Sequence, residues 1–190
     1  MQMIEASANE TARDYILTAL FDLLGKSSFE KISVSQIVQR AGISRSTFYL
    51  HFRDKYDLLE QVTNHVTDLF LSYYRHDHKD ALTSDPYRNV EQTTLDICTH
   101  ILNYQNYYKE RFQNPIFIQM LARKLSEHLL AVYHHKAYAM FAGYGTIGYL
   151  QQWVQDGCRL SPSEAANELT RIGLTNWSEY SYEQMHKTSS

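Results

Sequence analysis

The 190-residue chain is 44% hydrophobic and 21% charged, enough apolar material for one or two units with a real core and far from the composition of a disordered chain. Its apolar runs fall well short of the roughly 18 to 20 residues of a membrane span. The opening MQMIEASANE lacks an apolar signal core, and Cys98 and Cys158 stand far apart with no C-x-x-C spacing. Neither a disulfide framework nor a cysteine-built zinc site is suggested, no membrane partner is expected, and the expectation is a soluble cytoplasmic protein with buried thiols.

The net charge of −3 is unevenly held. Residues 26–55 carry Lys26, Lys31, Arg40, Arg45, Arg53 and Lys55 against Glu30 and Asp54, a local +4 that leaves −7 on the remainder. That is the distribution of a protein that touches DNA with one end only, although a solvated basic face gives the same tally.

With only 7 Gly and 3 Pro, and long segments free of breakers, an all-α fold is expected. Ser7 and Glu10 have capping-box spacing, and Ile16, Ala19, Leu20, Leu23 and Leu24 follow at helical intervals until Gly25 ends the first helix. Ser33 and Gln36 repeat the capping spacing. Ile37 and Val38 then turn inward, Gly42 supplies the positive φ that closes a short second helix, and Ile43 packs back. Ser44 is a natural cap for a third helix bearing Phe48 and Phe52 at i and i+4, so two short helices joined by Ala-Gly-Ile-Ser make a helix-turn-helix. Asp54 caps a long fourth helix with an apolar stripe through Leu58, Leu59, Val62, Val66, Leu69, Phe70 and Tyr73. The polar RHDHKDALTSD that follows reads as a loop. Pro86 opens a helix with Val90, Leu95, Ile97, Ile101 and Leu102, and Asn114-Pro115 opens another through Ile118, Leu121, Leu125, Leu129 and Val132. The expected organisation is a three-helix DNA-binding domain over 1–53, a connecting helix over 54–74 and a C-terminal helical domain for regulation and dimerisation over 75–190.

The segment GYGTIG, Gly143 to Gly148, matches the G-x-G-x-x-G fingerprint of dinucleotide-binding turns. That chemistry needs a buried strand leading in and a helix leading out. The preceding KAYAMFA lacks the dense Val/Ile run of such a strand, whereas Ile147, Leu150 and Val154 continue at helical spacing toward Gly157. Glu164 lies where a ribose-binding acid would be wanted, but after Ser161-Pro162 it belongs to the first turn of a new helix. The glycines are therefore expected inside a helix.

At ISVSQIVQRAGISRSTFYLHFRDKYDLL the chain resembles the TetR family of bacterial transcriptional regulators, through its Gly-Ile-Ser turn, its T-F-Y-x-H-F core and its Asp-Lys-x-x-Leu opening of the fourth helix. The resemblance covers roughly residues 9 to 64. HILNYQNYYKERF and YLQQWVQDG with SPSEAANEL are similar to a C-terminal domain common in regulators from low-GC Gram-positive bacteria. The family likeness implies that the third helix enters the major groove of a double-stranded DNA operator, palindromic because the protein is a homodimer. It implies base contacts from Arg45, Ser46 and Thr47 beside the cap Ser44, DNA-surface contacts from Tyr49 and His51, and a phosphate contact from Lys55. Ser35 and Gln36 are placed for the flanking strand.

The family pairs its last two long helices with those of a second subunit. This implies a dimer surface of Tyr144, Ile147, Leu150, Trp153 and Val154 with Ala165, Leu169, Ile172 and Trp177, beside glycines that permit close helix approach. Residue by residue, the subunit's own core is an equal alternative. Tyr104, Tyr107, Tyr108, Phe112, Phe117, Tyr133, Tyr138 and Phe141 suit either an aromatic effector pocket, centred on Tyr104, Tyr108, Phe117, Tyr133 and Phe141, or plain core. His76, Asp77, His78, His100 and the pair His128 and His135 raise metal sensing, but solvent-facing or satisfied imidazoles fit the pattern better, and no metal or cofactor is expected. No acid, base and nucleophile set suggests an enzyme. The resemblance thus implies a homodimeric DNA-binding regulator: a repressor released by an unidentified small molecule, or alternatively an activator or a regulator answering to a protein partner or metal ion.

Overall fold

The computed structural model describes residues 11–74 and 86–174, which contain nine α-helices and no strand. The Ser7–Glu10 capping pair, the loop from 75 to 85 with His76, Asp77 and His78, and Trp177 lie outside the described residues. Packing divides the chain into two compact units, one built from residues 1–72 with 104–119 and the other from 73–103 with 120–190.

In the first unit α1 (Ala12–Leu24) follows Thr11, whose backbone N–H and hydroxyl both donate to the Asp14 carboxylate, at 2.8 and 2.7 Å. Its buried face is Ile16, Ala19, Leu20 and Leu24, packed against α2 (Val34–Ala41) and α3 (Arg45–His51). A 3-10 turn, Phe29–Lys31, joins α1 to α2. The long α4 (Lys55–Ser72) starts where the Asp54 carboxylate accepts from the backbone N–H of Tyr56 and of Asp57, each at 2.8 Å. It buries Leu58, Val62, Val66 and Phe70 at i, i+4, i+8 and i+12.

A short helix that the sequence pattern did not announce, α6 (Gln105–Arg111), also belongs to this unit and packs on α1. Tyr107 and Tyr108 are both buried there. Tyr107 meets Phe21 and Phe117 edge-on at 6.2 and 6.1 Å, and the Asn106 amide donates to the Phe21 carbonyl. Seven residues carrying two adjacent buried tyrosines show no 3.6-residue alternation, so only the packing partner on α1 identifies this helix.

The second unit contains α5 (Pro86–Asn103), α8 (Lys136–Gln155), α9 (Pro162–Leu174) and most of α7 (Pro115–Tyr133). On α5 the buried stripe is Thr94, Ile97, Cys98 and Ile101, facing chiefly α9. Val90, Leu102 and, on α7, Val132 were expected inward but are exposed, because they lie beyond or beside these stripes. Cys98 is buried and Cys158 half-buried, and both are reduced thiols. All three glycines of GYGTIG are inside α8, and Gly157, with φ 80°, stands two residues beyond its last residue. At Ser161 the expected cap of α9 is present: the Glu164 carboxylate accepts from the Ser161 N–H at 2.8 Å, and Ser161 Oγ accepts from the Glu164 N–H at 3.3 Å.

Candidate nucleic-acid interface

The helix-turn-helix is built from two caps and one glycine. Ser33 Oγ accepts from the Gln36 N–H at 3.3 Å while the Gln36 side chain accepts from the Ser33 N–H at 2.8 Å, so α2 starts on a closed capping box. It ends at Gly42, φ 68°, where a side chain would be strained, and the Ile43 N–H returns to the Val38 carbonyl at 3.1 Å. Ser44 Oγ then caps α3 by accepting from the Thr47 N–H at 3.0 Å. Phe48 and Phe52 are buried with ring centroids 5.6 Å apart, which anchors α3 on its inner side.

The outer side of α3 is polar and organised around Arg45. Its guanidinium donates to Ser35 Oγ at 2.7 Å and to the Tyr49 hydroxyl at 3.1 Å, and lies 5.8 Å from the Tyr49 ring centre. Ser35, Arg45 and Tyr49 are thus one cluster bridging the start of α2 to α3. Two of the guanidinium N–H groups are engaged and the other donors of the fork are left over, in a group that cannot lose its charge. Ser46 and His51 are exposed. The hydroxyls of Ser44, Ser46 and Thr47 lie 2.7 and 2.8 Å apart around the cap. Ser44 and Thr47 therefore serve the helix start itself, and so does the carbonyl end of the Gln36 side chain.

Lys55 departs from expectation. Its ammonium donates to three backbone carbonyls of the turn before α2, those of Phe29 at 3.1 Å, Glu30 at 3.0 Å and Ile32 at 2.9 Å, and lies 4.8 Å from the Phe29 ring centre and 5.2 Å from that of Tyr56. An ammonium has three N–H donors, and all are used inside the unit. The group for which the resemblance implies a phosphate contact thus sits in a carbonyl cage that ties α4 to the turn. A cation in the first turn of a helix opposes the helix dipole, and three inward carbonyl dipoles compensate it. Arg40 is paired with Asp22, and Arg53 with Asp57 at 3.4 Å. The Arg53 backbone N–H, then Gln61, holds the Asp57 carboxyl below its usual range. The local +4 of the sequence is thus partly offset by acids on neighbouring helices.

One exposed residue of this surface escaped the sequence reading. Leu50, 83% exposed, stands on α3 one turn after Ser46. Counting 100° per residue from the buried Phe48 identifies it as outward-facing.

The remaining candidates separate. Ile147, Leu150, Trp153 and Val154 are buried within the subunit, which removes them from the candidate dimer surface. They share one stripe of α8 with Ala139 and Gly143, and a Cβ at Gly143 would run into Ser126 Oγ on α7. Ala165 is buried as well, and Leu169 is half-buried. Tyr144, 44% exposed, and Ile172, 40% exposed, remain outward, as do Gly145 and Gly148, whose Cβ positions meet open space. The residues of the expected aromatic pocket are divided between the two units. Tyr108 and Phe117 are buried in the first unit, where Tyr104 packs on Phe21 at 5.3 Å, whereas Tyr133 and Phe141 are exposed in the second. Adjacent elements in sequence here serve different cores.

The second unit does carry a groove of about 470 Å³, lined by Tyr149, Gln152, Trp153, Asp156, Arg159, Leu160 and Glu168. The Tyr149 hydroxyl donates to the Glu168 carboxylate at 2.9 Å and the Trp153 indole N–H to the Leu160 carbonyl at 3.2 Å. His100 is buried with its ring 5.6 Å from Tyr73, His128 donates to the Lys124 carbonyl at 3.0 Å, and His135 lies 4.5 Å from the Tyr138 ring. Among the described residues no three His, Cys, Asp or Glu side chains gather as a metal site. Nor is any described helix long and apolar enough to cross a membrane.

Two family models match the chain: that of bacterial regulatory proteins, tetR family, over residues 16–62, and that of a transcriptional regulator C-terminal region over residues 88–173. The chain belongs to the TetR family of bacterial regulatory proteins. It is similar to the uncharacterized HTH-type transcriptional regulator YxbF of Bacillus subtilis, with 22% identity over 178 residues, 86% of this chain and 45% of YxbF. The chain spans about half the length of the curated relatives it matches. Among solved structures it is similar to the fatty acid degradation regulator FadR from Bacillus halodurans, at TM-score 0.68 and 15% identity, covering 90% of this chain and 98% of FadR. It is likewise similar to SmeT, the repressor of the Stenotrophomonas maltophilia multidrug efflux pump SmeDEF, at TM-score 0.68 and 14% identity, covering 90% and 89%. These structural likenesses extend to the fold. The relatives are regulators, not enzymes.

Proposed function

We propose that the protein is a cytoplasmic, homodimeric, DNA-binding transcriptional repressor that a small effector releases from a palindromic operator. The observation that carries the reading is the preorganised outer face of α3, where Arg45 is held by Ser35 and Tyr49 beside a capped, exposed helix start. A fork-shaped donor fixed at the opening of a recognition helix suits the paired acceptors of guanine in the major groove. Ser46, Tyr49 and His51 flank it for base edges or phosphate oxygens, and Ser35 acts through Arg45.

Dimerisation is assigned to the outward face of α8, Phe141, Tyr144, Gly145 and Gly148, with Ile172 of α9. Large aromatic side chains there alternate with glycines that leave room for a second helix. The groove beside Tyr149 and Trp153 is within the size range of small-molecule sites, and two aromatic rings and two carboxylates line it. The test is selection of bound duplexes from a randomised pool, followed by sedimentation and a reporter fused to the selected sequence. The reading requires enrichment of an inverted repeat, a dimer on it, and transcription that rises when the protein is removed. Enrichment of no sequence, or transcription that falls, overturns it.

A further inference from the structure

We infer that Leu50 reads the C5 methyl group of a thymine in each half of the operator. The assignment rests on the DNA-binding reading above and adds a base identity to it. Taking the buried Phe48 as the inward direction, Ser46 and Leu50 stand about 160° and 200° away around α3, the two positions that face most directly outward. Leu50 is 83% exposed, more than any other large hydrophobic side chain among the described residues, with Ile116 next at 77%.

A lone exposed leucine on a protein surface is ordinary. This one is different in position: it is the apolar member of a polar face that also carries Arg45, Ser46 and Tyr49, with no packing duty inside the subunit. When α3 enters a major groove, the isobutyl group loses its water. Set against N–H, N7 or carbonyl groups of base edges, it would leave them without hydrogen-bond partners, which costs free energy. The one apolar group a base pair presents in the major groove is the thymine methyl. Leu50 opposite that methyl buries apolar surface on both sides, and opposite cytosine or a purine it does not. The residue therefore sets a preference by shape and hydrophobicity where Arg45 sets one by hydrogen bonds.

The probe is the duplex most enriched by the wild-type protein from a randomised pool, with each thymine replaced in turn by deoxyuridine, which deletes only the methyl. At one thymine per half-site the wild-type affinity is expected to fall about fourfold, the worth of one buried methyl. Leu50→Ala is expected to bind the unmodified duplex correspondingly more weakly and to show no further loss at that deoxyuridine. Leu50→Met, which keeps the apolar reach, is expected to retain sensitivity to the methyl. Unchanged thermal unfolding of both variants shows that the fold is intact. Methyl deletion without effect at every thymine, or equal sensitivity in wild type and Leu50→Ala, overturns the assignment while leaving DNA binding intact. A pool from which nothing is enriched overturns the proposed function and this assignment with it.

Discussion

Two cations ten residues apart are held in opposite ways. Arg45 is exposed and keeps donors beyond those given to Ser35 and Tyr49, whereas Lys55 has all three donors in a carbonyl cage. Arg45→Ala is accordingly expected to cost on the order of 1 to 3 kcal/mol of operator binding and to relax the choice at one base position. Lys55→Ala is expected to leave the salt dependence of binding unchanged, because no counterion-releasing phosphate contact is lost. It should instead lower the stability of the unit, by roughly 1 to 3 kcal/mol for hydrogen bonds to a charged group. Salt titrations of operator binding together with urea unfolding decide the matter: a slope lower by about one with unaltered stability would return Lys55 to the phosphate backbone. Tyr49→Phe removes only the hydroxyl that receives the guanidinium, so discrimination should weaken more than non-specific binding.

Along single helices, glycine has three distinct uses. At Gly42 the φ of 68° excludes an unstrained side chain although space is open, so Gly42→Ala is expected to destabilise the turn by about 1 kcal/mol. At Gly143 the limit is contact, since a Cβ would meet the Ser126 backbone nitrogen at 3.0 Å and the Ala122 carbonyl at 3.1 Å. Gly143→Ala should cost roughly 1 to 3 kcal/mol by overpacking. Gly148 meets neither limit within the subunit, and Gly148→Ala should raise helix stability by up to about 1 kcal/mol in a monomer while weakening dimerisation. Thermal melts over a range of protein concentration separate the two effects. The helix caps add a pH dependence. The Thr11 hydroxyl and backbone N–H hold Asp14 below its usual range, and the Ser161 hydroxyl and backbone N–H do the same for Glu164. Depressed carboxyl groups stabilise the fold above their unfolded values, near pH 4, and the contribution is lost as pH falls through the lower folded values. Combining Asp14→Asn with Glu164→Gln should flatten the fall in melting temperature below about pH 4.

For the molecule as a whole, the same charge placed on two faces of α8 is expected to fail in two ways. Tyr144→Glu on the outward face should give folded monomers that no longer grip two half-sites together. Leu150→Glu puts an unpaired charge into the subunit core and should unfold the second unit. Sedimentation and circular dichroism distinguish the outcomes, and a folded dimer for Tyr144→Glu moves the interface elsewhere. Control obeys a reciprocity: an effector that weakens operator binding by some factor must itself bind more weakly to the operator complex by the same factor. Effector affinities measured with and without the selected duplex check it, and equal values remove ligand-driven release.

The sequence by itself determined the helices whose signals are local. Ser33 with Gln36, Gly42, Ser44, Asp54 and Ser161 with Glu164 act on their own backbone neighbours, so their spacing is sufficient. The nucleotide-binding reading of GYGTIG could also be dismissed locally, because no strand precedes it. What needed the tertiary structure was every question of which side of a helix meets what. Leu150 and Tyr144 are both compatible with a helix–helix seam, and only the positions of α7 and α9 made one core and left the other outward. Tyr108 and Phe141 read as one aromatic group until packing assigned them to separate units. Lys55 carries the family spacing, yet its partners are carbonyls 23 to 26 residues earlier in the chain. A helical pattern specifies a direction around an axis, whereas the group waiting in that direction is brought there by the rest of the chain.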